Sequence, residues 1–146
     1  MQNKVIHYNQ IASIKKKNRK KTIGLAHGVF DMFHYGHLLH LKKAKSFCDI
    51  LIVSITSDKF INKAPGRPIY TNEQRLKIVS SLSFVDFVIL SNKKHSIQLL
   101  NSIKPNYYFK GNDYINQKKD YSGGIKLEKS AVEKNGGKII FTNEKS

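Results

Sequence analysis

The segment of this chain richest in groups that can do chemistry reads His27-Gly28-Val29-Phe30-Asp31-Met32-Phe33-His34-Tyr35-Gly36-His37. Two imidazoles three residues apart, His34 and His37, project from the same side of a helix's first turn. The start of a helix already offers free N–H groups and a partial positive charge, so it is a ready site for an anion. Two ring N–H donors placed there would be aimed at phosphate oxygens. Gly28 lets the backbone turn and come close to a ligand, and Gly36 keeps the surface between the imidazoles clear. A metal such as zinc on His34, His37 and Asp31 is the other chemistry this spacing allows. No Cys/His cluster completes such a ligand set, because His7, His40 and His95 are scattered along the chain.

The elements that must hold these residues follow from alternating apolar runs and helical patterns. Residues 22–26 (TIGLA) read as a first strand running into Gly28, and residues 34–47 as a helix with Leu38, Leu41, Ala44 and Cys48 on one face. Residues 50–56 (ILIVSIT) form an almost wholly apolar strand, the mark of burial on both faces. Thr71-Asn72-Glu73-Gln74 has the form of a capping box opening a helix through Leu82. Strands are expected at 84–90, 107–109 and 138–142, with helices at 95–103, stopped by Pro105, and at 125–135, closed by Gly136-Gly137. The pattern predicts a single Rossmann-like α/β domain: a parallel sheet of about five strands with helices on both faces. A basic N-terminal helix, from about Val5 to the run Lys15-Lys16-Lys17-Asn18-Arg19-Lys20-Lys21, occupies residues 1–21 ahead of the domain at 22–146. In such sheets ligands bind beyond the carboxyl ends of the strands, where the histidine segment falls.

Composition narrows the function classes. With 40% hydrophobic and 25% charged residues, the chain of 146 residues has the make-up of one folded domain. Its single cysteine, Cys48, allows no intrachain disulfide and suits a reducing compartment. No apolar run of about 18 residues exists and the N-terminus lacks the core of a signal peptide, so a cytoplasmic protein with no membrane partner is expected. The net charge of +16 attracts polyanions. Of the 26 basic residues only Arg19, Arg67 and Arg75 are arginine, the residue that readers of phosphate backbones and base edges use most. A nucleic acid is therefore not the expected partner.

The composite pattern Gly28-x-Phe30-Asp31-x-x-His34-x-Gly36-His37 resembles the signature of the cytidylyltransferase-like family of nucleotidyltransferases. Ser57-Asp58, Lys63-Ala-Pro-Gly-Arg67-Pro68, Glu73-Gln-Arg75, Val85-Asp86 and Lys110-Gly111-Asn112-Asp113-Tyr114 follow in the family's order, so the likeness extends over nearly all of residues 22–142. The segments similar to a GRP loop, a KG-x-D-Y stretch and a late GG-K strand are most like the nucleotidyltransferase domains of ADP-heptose synthases. The likeness to glycerol-3-phosphate cytidylyltransferases is looser.

This resemblance implies transfer of AMP or CMP from ATP or CTP to a phosphorylated small-molecule acceptor, such as a heptose 1-phosphate, with release of pyrophosphate. It casts His34, His37 and Lys63 as the catalytic groups, contacting the triphosphate and its developing charge. Gly28, Val29, Phe30, Asp31, Gly36, Asp58, Arg75, Lys110, Gly111 and Asp113 would line the nucleotide and substrate pocket; Asp86 is a weaker candidate. Mg²⁺ would be held mainly through the triphosphate, since it keeps much of its water and favours phosphate ligands. A homodimer is expected by likeness. The physics agrees: phosphoryl and nucleotidyl transfer depend on positioning and charge stabilisation, and an acceptor phosphate needs no general base. Relatives carry a Ser/Thr-rich segment after the last strand, and here the residues stop at Thr142-Asn143-Glu144-Lys145-Ser146. The expectation is either a shortened chain or a site without those donors. Two alternatives stay open: cytidylyl transfer to a glycerol phosphate or another polyol or phosphonate head group, and a non-catalytic nucleotide- or nucleic-acid-binding protein.

Overall fold

The computed structural model describes residues 3–61, 66–93, 96–111 and 124–142. Six parallel strands form one sheet: β1 (Val5–Ile6), β2 (Ile23–Gly28), β3 (Ile50–Thr56), β4 (Phe87–Ser91), β5 (Tyr107–Lys110) and β6 (Lys138–Phe141), in the spatial order β1-β4-β3-β2-β5-β6. The helices are α1 (Ile11–Lys17), α2 (Tyr35–Lys45), α3 (Asn72–Ser80), α4 (Ile97–Ile103) and α5 (Gly124–Lys134). Every residue of β3 is buried, as its almost wholly apolar run requires of a strand covered on both faces. Side chains alternate across the sheet and feed two apolar clusters. One joins Ile23, Leu25, Ile52 and Ile89 to α1, α4 and α5; the other joins Ala26, Val53, Val88 and Phe109 to α2 and α3.

The fold matches the Rossmann-like expectation with one strand more. Val5–Ile6 is not the first turn of a helix: it pairs in parallel with Val88 and Ile89 at the edge of the sheet. Burying Ile6 there leaves only Ile11 and Ile14 for the buried face of α1, which begins after a 3-10 turn at Tyr8–Gln10. The third expected strand starts later, at Phe87, because Asp86 accepts the Leu51 N–H at 2.8 Å and the Lys45 ammonium at 2.8 Å. The capping box forms as read: Thr71 Oγ1 accepts the Gln74 N–H at 3.1 Å and Gln74 Oε1 accepts the Thr71 N–H at 3.0 Å. That helix ends at Ser80, one turn's half short of Leu82. Cys48 is a free, buried thiol, and desolvation pushes it up to about 11, well away from reactivity. Among the described residues no helix is long and apolar enough to cross a membrane.

Candidate functional site

The chain leaves β2 to build β3 and β4 on one side, then returns to lay β5 and β6 on the other. The crevice between the carboxyl ends of β2 and β5 is therefore the topological switch point, where open α/β sheets bind ligands. A cavity of about 500 Å³ opens there, lined by His27 to Met32, His34, His37, His40, Arg67 and Gly111. The histidine segment and Gly111, distant in sequence, both line it.

His34 is the N-cap of α2, and its ring does the capping. Its Nδ1 accepts the Gly36 N–H at 3.0 Å, while the His34 N–H is accepted by Nδ1 of His37 at 3.2 Å. The two imidazoles form a capping box in place of the usual hydroxyl and carboxamide. They stack with ring centroids 3.9 Å apart and 27° between planes. A nitrogen that accepts an N–H carries no proton, so in each neutral ring the proton sits on Nε2. The helix cap thereby fixes both tautomers and puts the proton of each neutral ring on Nε2, at a helix N-terminus. Phe30 and Phe33 hold the His37 ring, each with centroids 5.4 Å away.

Gly28 serves this arrangement differently from the sharp turn expected of it. It closes β2, and a Cβ there would come within 2.8 Å of the Phe30 ring. The left-handed turn falls on Phe30 instead, at φ 52°, where an L side chain is strained. The turn folds the ring back over Gly28 and against His37.

Asp31 is buried and clamps a second loop to the first. Its oxygens accept the Ile69 N–H at 2.9 and 3.0 Å, the Tyr70 N–H at 2.9 Å and the Arg67 guanidinium at 3.1 Å. Burial alone would raise this carboxyl, but the Tyr70 and Ile69 N–H groups and Arg67 outweigh it and hold Asp31 below the ordinary range. A carboxyl depressed by folding contributes stability above its unfolded pKa of about 4 and loses it as pH falls through the folded value. Asp31→Ala is expected to lower stability by about 1.5–3 kcal/mol at neutral pH, the range for hydrogen bonds to a charged group. Thermal unfolding followed from pH 7 into the acid range should show the gap to the parent closing below about pH 4.

Arg75 is fully buried and turns away from the cavity. Its Nη1 donates to the carbonyls of Thr56 at 2.6 Å and Val29 at 3.0 Å, its Nε to Tyr70 at 3.2 Å, and its Nη2 to Asn72 Oδ1 at 2.7 Å. It ties the ends of β2 and β3 to the loop before α3, rather than presenting a cation to a ligand. Lys110 ends β5 on the face of Tyr108 and pairs with Glu128 of α5 at 2.9 Å, both side chains almost wholly buried. Asp58 opens a 3-10 turn after β3, its N–H bonded to Asn72 Oδ1 at 2.9 Å, and lies outside the cavity lining. Asp86 stands at the start of β4, at the far end of the sheet from the cavity. Lys63 and Asp113 lie outside the described residues. Among the described residues no group of three or more His, Cys, Asp or Glu is placed to hold a metal ion.

Four lining residues, His27, Met32, His40 and Arg67, lie outside the set of pocket residues that the resemblance implies. Arg67 reaches the cavity through its pair with Asp31. His40 is buried, with Nδ1 2.6 Å from Thr142 Oγ1 at the end of β6; its spacing of three from His37 was the available signal. His27 is the last residue but one of β2, with Nδ1 2.6 Å from Ser54 Oγ.

A parallel Rossmann-like sheet thus carries two imidazoles that cap the first crossover helix beside its switch point. The chain belongs to the cytidylyltransferase-like family, whose family model matches residues 25–145. It is 35% identical over 116 residues to the bifunctional protein HldE of Helicobacter pylori (strain G27), covering 78% of this chain and 25% of that protein. It is 31% identical over 140 residues to HldE of Geotalea uraniireducens (strain Rf4), covering 93% of this chain and 27% of that one. The chain thus spans about a quarter of the length of these relatives. Among solved structures, the lipopolysaccharide core biosynthesis protein from Thermoplasma volcanium GSS1 superposes with a TM-score of 0.70 at 28% identity, covering 86% of this chain and 99% of that one. Pantoate-beta-alanine ligase from Francisella tularensis shares the fold, with a TM-score of 0.66 at 24% identity over 97% of this chain and 67% of that one.

Proposed function

We propose that the chain transfers AMP or CMP from ATP or CTP to a sugar phosphate of the heptose 1-phosphate kind and releases pyrophosphate. The observation that carries this reading is the stacked His34–His37 pair, which caps α2 through Nδ1 of both rings and lines the switch-point cavity. The triphosphate lies across the helix N-terminus. An acceptor phosphate oxygen attacks the α-phosphorus in line, that P–O bond forms, and the bond to the bridging oxygen breaks with its electron pair leaving on pyrophosphate. The two imidazoles donate to oxygens whose negative charge grows toward the transition state, so their bonds strengthen when they lower the barrier most. No base is needed, since a phosphate monoester is ionised at neutral pH.

Among the described lining residues the one carboxylate, Asp31, is already engaged by Arg67 and two backbone N–H groups, which fits a Mg²⁺ ion held through the triphosphate rather than by a protein cage. Such an ion would neutralise phosphate charge when bound. The likeness to HldE and to a lipopolysaccharide core biosynthesis protein supports a sugar phosphate as acceptor.

The test is pyrophosphate release from ATP or CTP, each paired with heptose 1-phosphate or glycerol 3-phosphate, in the presence of Mg²⁺. Release that requires both a nucleotide and heptose 1-phosphate, and stops on chelation, is the expected result. Release with CTP and glycerol 3-phosphate alone would move the protein to the polyol cytidylyltransferases. No release in any pairing would reduce it to a binding protein, and RNA affinity with a steep salt slope would point to a nucleic-acid partner.

A further inference from the structure

We infer that His27 is the acceptor-side residue of the site, binding the phosphate of the sugar phosphate from the side of the cavity opposite the His34–His37 pair. The inference rests on the nucleotidyl-transfer reading and adds to it which side chain meets the acceptor. Side chains on β2 alternate across the sheet: Ile23 and Leu25 pack under α1, α4 and α5, whereas Ala26 packs under α2 and α3. His27 continues the Ile23–Leu25 row, so its ring emerges on the face away from α2. His34 and His37 come from α2 itself, on the other face. Both sets line the same cavity at the carboxyl end of β2, which places imidazoles on its two flanks.

In-line displacement turns that placement into a division of labour. Nucleophile and leaving group lie on opposite sides of the reacting phosphorus. With the departing pyrophosphate at the N-terminus of α2, the acceptor must approach from the far flank, which is the one His27 lines. The register is otherwise apolar, and the ring is held there by polar groups that also break the apolar pattern of β3. Ser54 Oγ lies 2.6 Å from Nδ1 and Thr56 Oγ1 3.4 Å from Nε2, on the face where Ile50 and Ile52 precede them. Ser54 fixes the half-buried ring through Nδ1, and Nε2 is the nitrogen that exchanges its long contact with Thr56 for an oxygen of the acceptor phosphate.

The experiment measures initial rates of pyrophosphate release with the nucleotide and heptose 1-phosphate varied separately, for the parent, His27→Asn, His27→Gln and Ser54→Ala. The expected result is an acceptor KM about 10- to 100-fold higher in the His27 variants, the loss of one hydrogen bond to a charged group, with the nucleotide KM unchanged. Ser54→Ala, which releases the ring without removing it, raises the acceptor KM by a smaller factor in the same direction, and nucleotide affinity by calorimetry stays at the parent value. An unchanged acceptor KM in the His27 variants, or a nucleotide KM that rises in step with it, overturns the inference while the nucleotidyl-transfer reading stands. A parent protein that releases no pyrophosphate in any pairing overturns that reading, and the inference with it.

Discussion

Replacing His34 by Asn and His37 by Gln lowers kcat about 10²- to 10³-fold each, the cost of removing one preorganised donor from a developing oxyanion, or about 3–4 kcal/mol. The choice of substitutes separates chemistry from folding. Alanine at position 34 would also remove the N-cap, about 1 kcal/mol, and blur the result. Asn is among the best N-cap residues, and Gln at the third helical position can accept the N-cap N–H, as Gln74 does for Thr71. The pair therefore keeps a capping box on α2 and deletes only the Nε2–H donors. Thermal unfolding should stay near that of the parent while single-turnover rates fall. The double variant should fall by less than the product of the two, because stacked rings 3.9 Å apart act on one patch of charge and such effects do not add. Turnover within tenfold of the parent in both single variants would remove the imidazoles from the mechanism.

How much of this could be read beforehand depended on whether the signal was local. His34 and His37 were legible because helix geometry ties residues three apart, and Thr71–Gln74 because a capping box lies within one turn. β3 was legible because seven consecutive buried residues leave an almost wholly apolar string, interrupted only by Ser54 and Thr56. β1 was not, since two residues show no period and the partners Val88 and Ile89 lie far along the chain. The same holds for side chains whose role depends on what they meet. Arg75 sits in a segment resembling a ligand-binding one, yet its guanidinium is taken up by the carbonyls of Val29, Thr56 and Tyr70. His40 looked incidental because its partner, Thr142, lies at the end of the last strand. Asp31 lies in the histidine segment and lines the cavity, but its bonds to Ile69 and Tyr70, which no local pattern signals, make it a clamp between loops. Lys110 carried the parity of Tyr108, two residues earlier on β5, which puts it on the face of α5, where Glu128 takes up its ammonium.

The placement of Lys110 gives the second large effect. Its ammonium and the Glu128 carboxylate are 2% and 8% exposed and 2.9 Å apart. The hydroxyls of Ser96 and Tyr108 also donate to Glu128. Burial by itself would raise the Glu128 carboxyl, but Lys110 and the two hydroxyls outweigh it and hold it below its ordinary range. Removing one partner strands the other charge out of water, so Glu128→Leu is expected to cost about 3–5 kcal/mol in denaturant unfolding. Replacing both partners with apolar residues, Lys110→Met with Glu128→Leu, removes the stranded charge and should recover much of that loss, leaving a large coupling energy in the double-mutant cycle. The double variant also decides what Lys110 does. A lysine on a substrate phosphate could not be restored by changing Glu128, and kcat/KM would stay far below the parent's. A lysine that only anchors the end of β5, so that Gly111 meets the cavity, is dispensable once its charge is gone. Pyrophosphate release should then return toward the parent rate as stability does, whereas stable but inactive protein would put Lys110 back at the substrate.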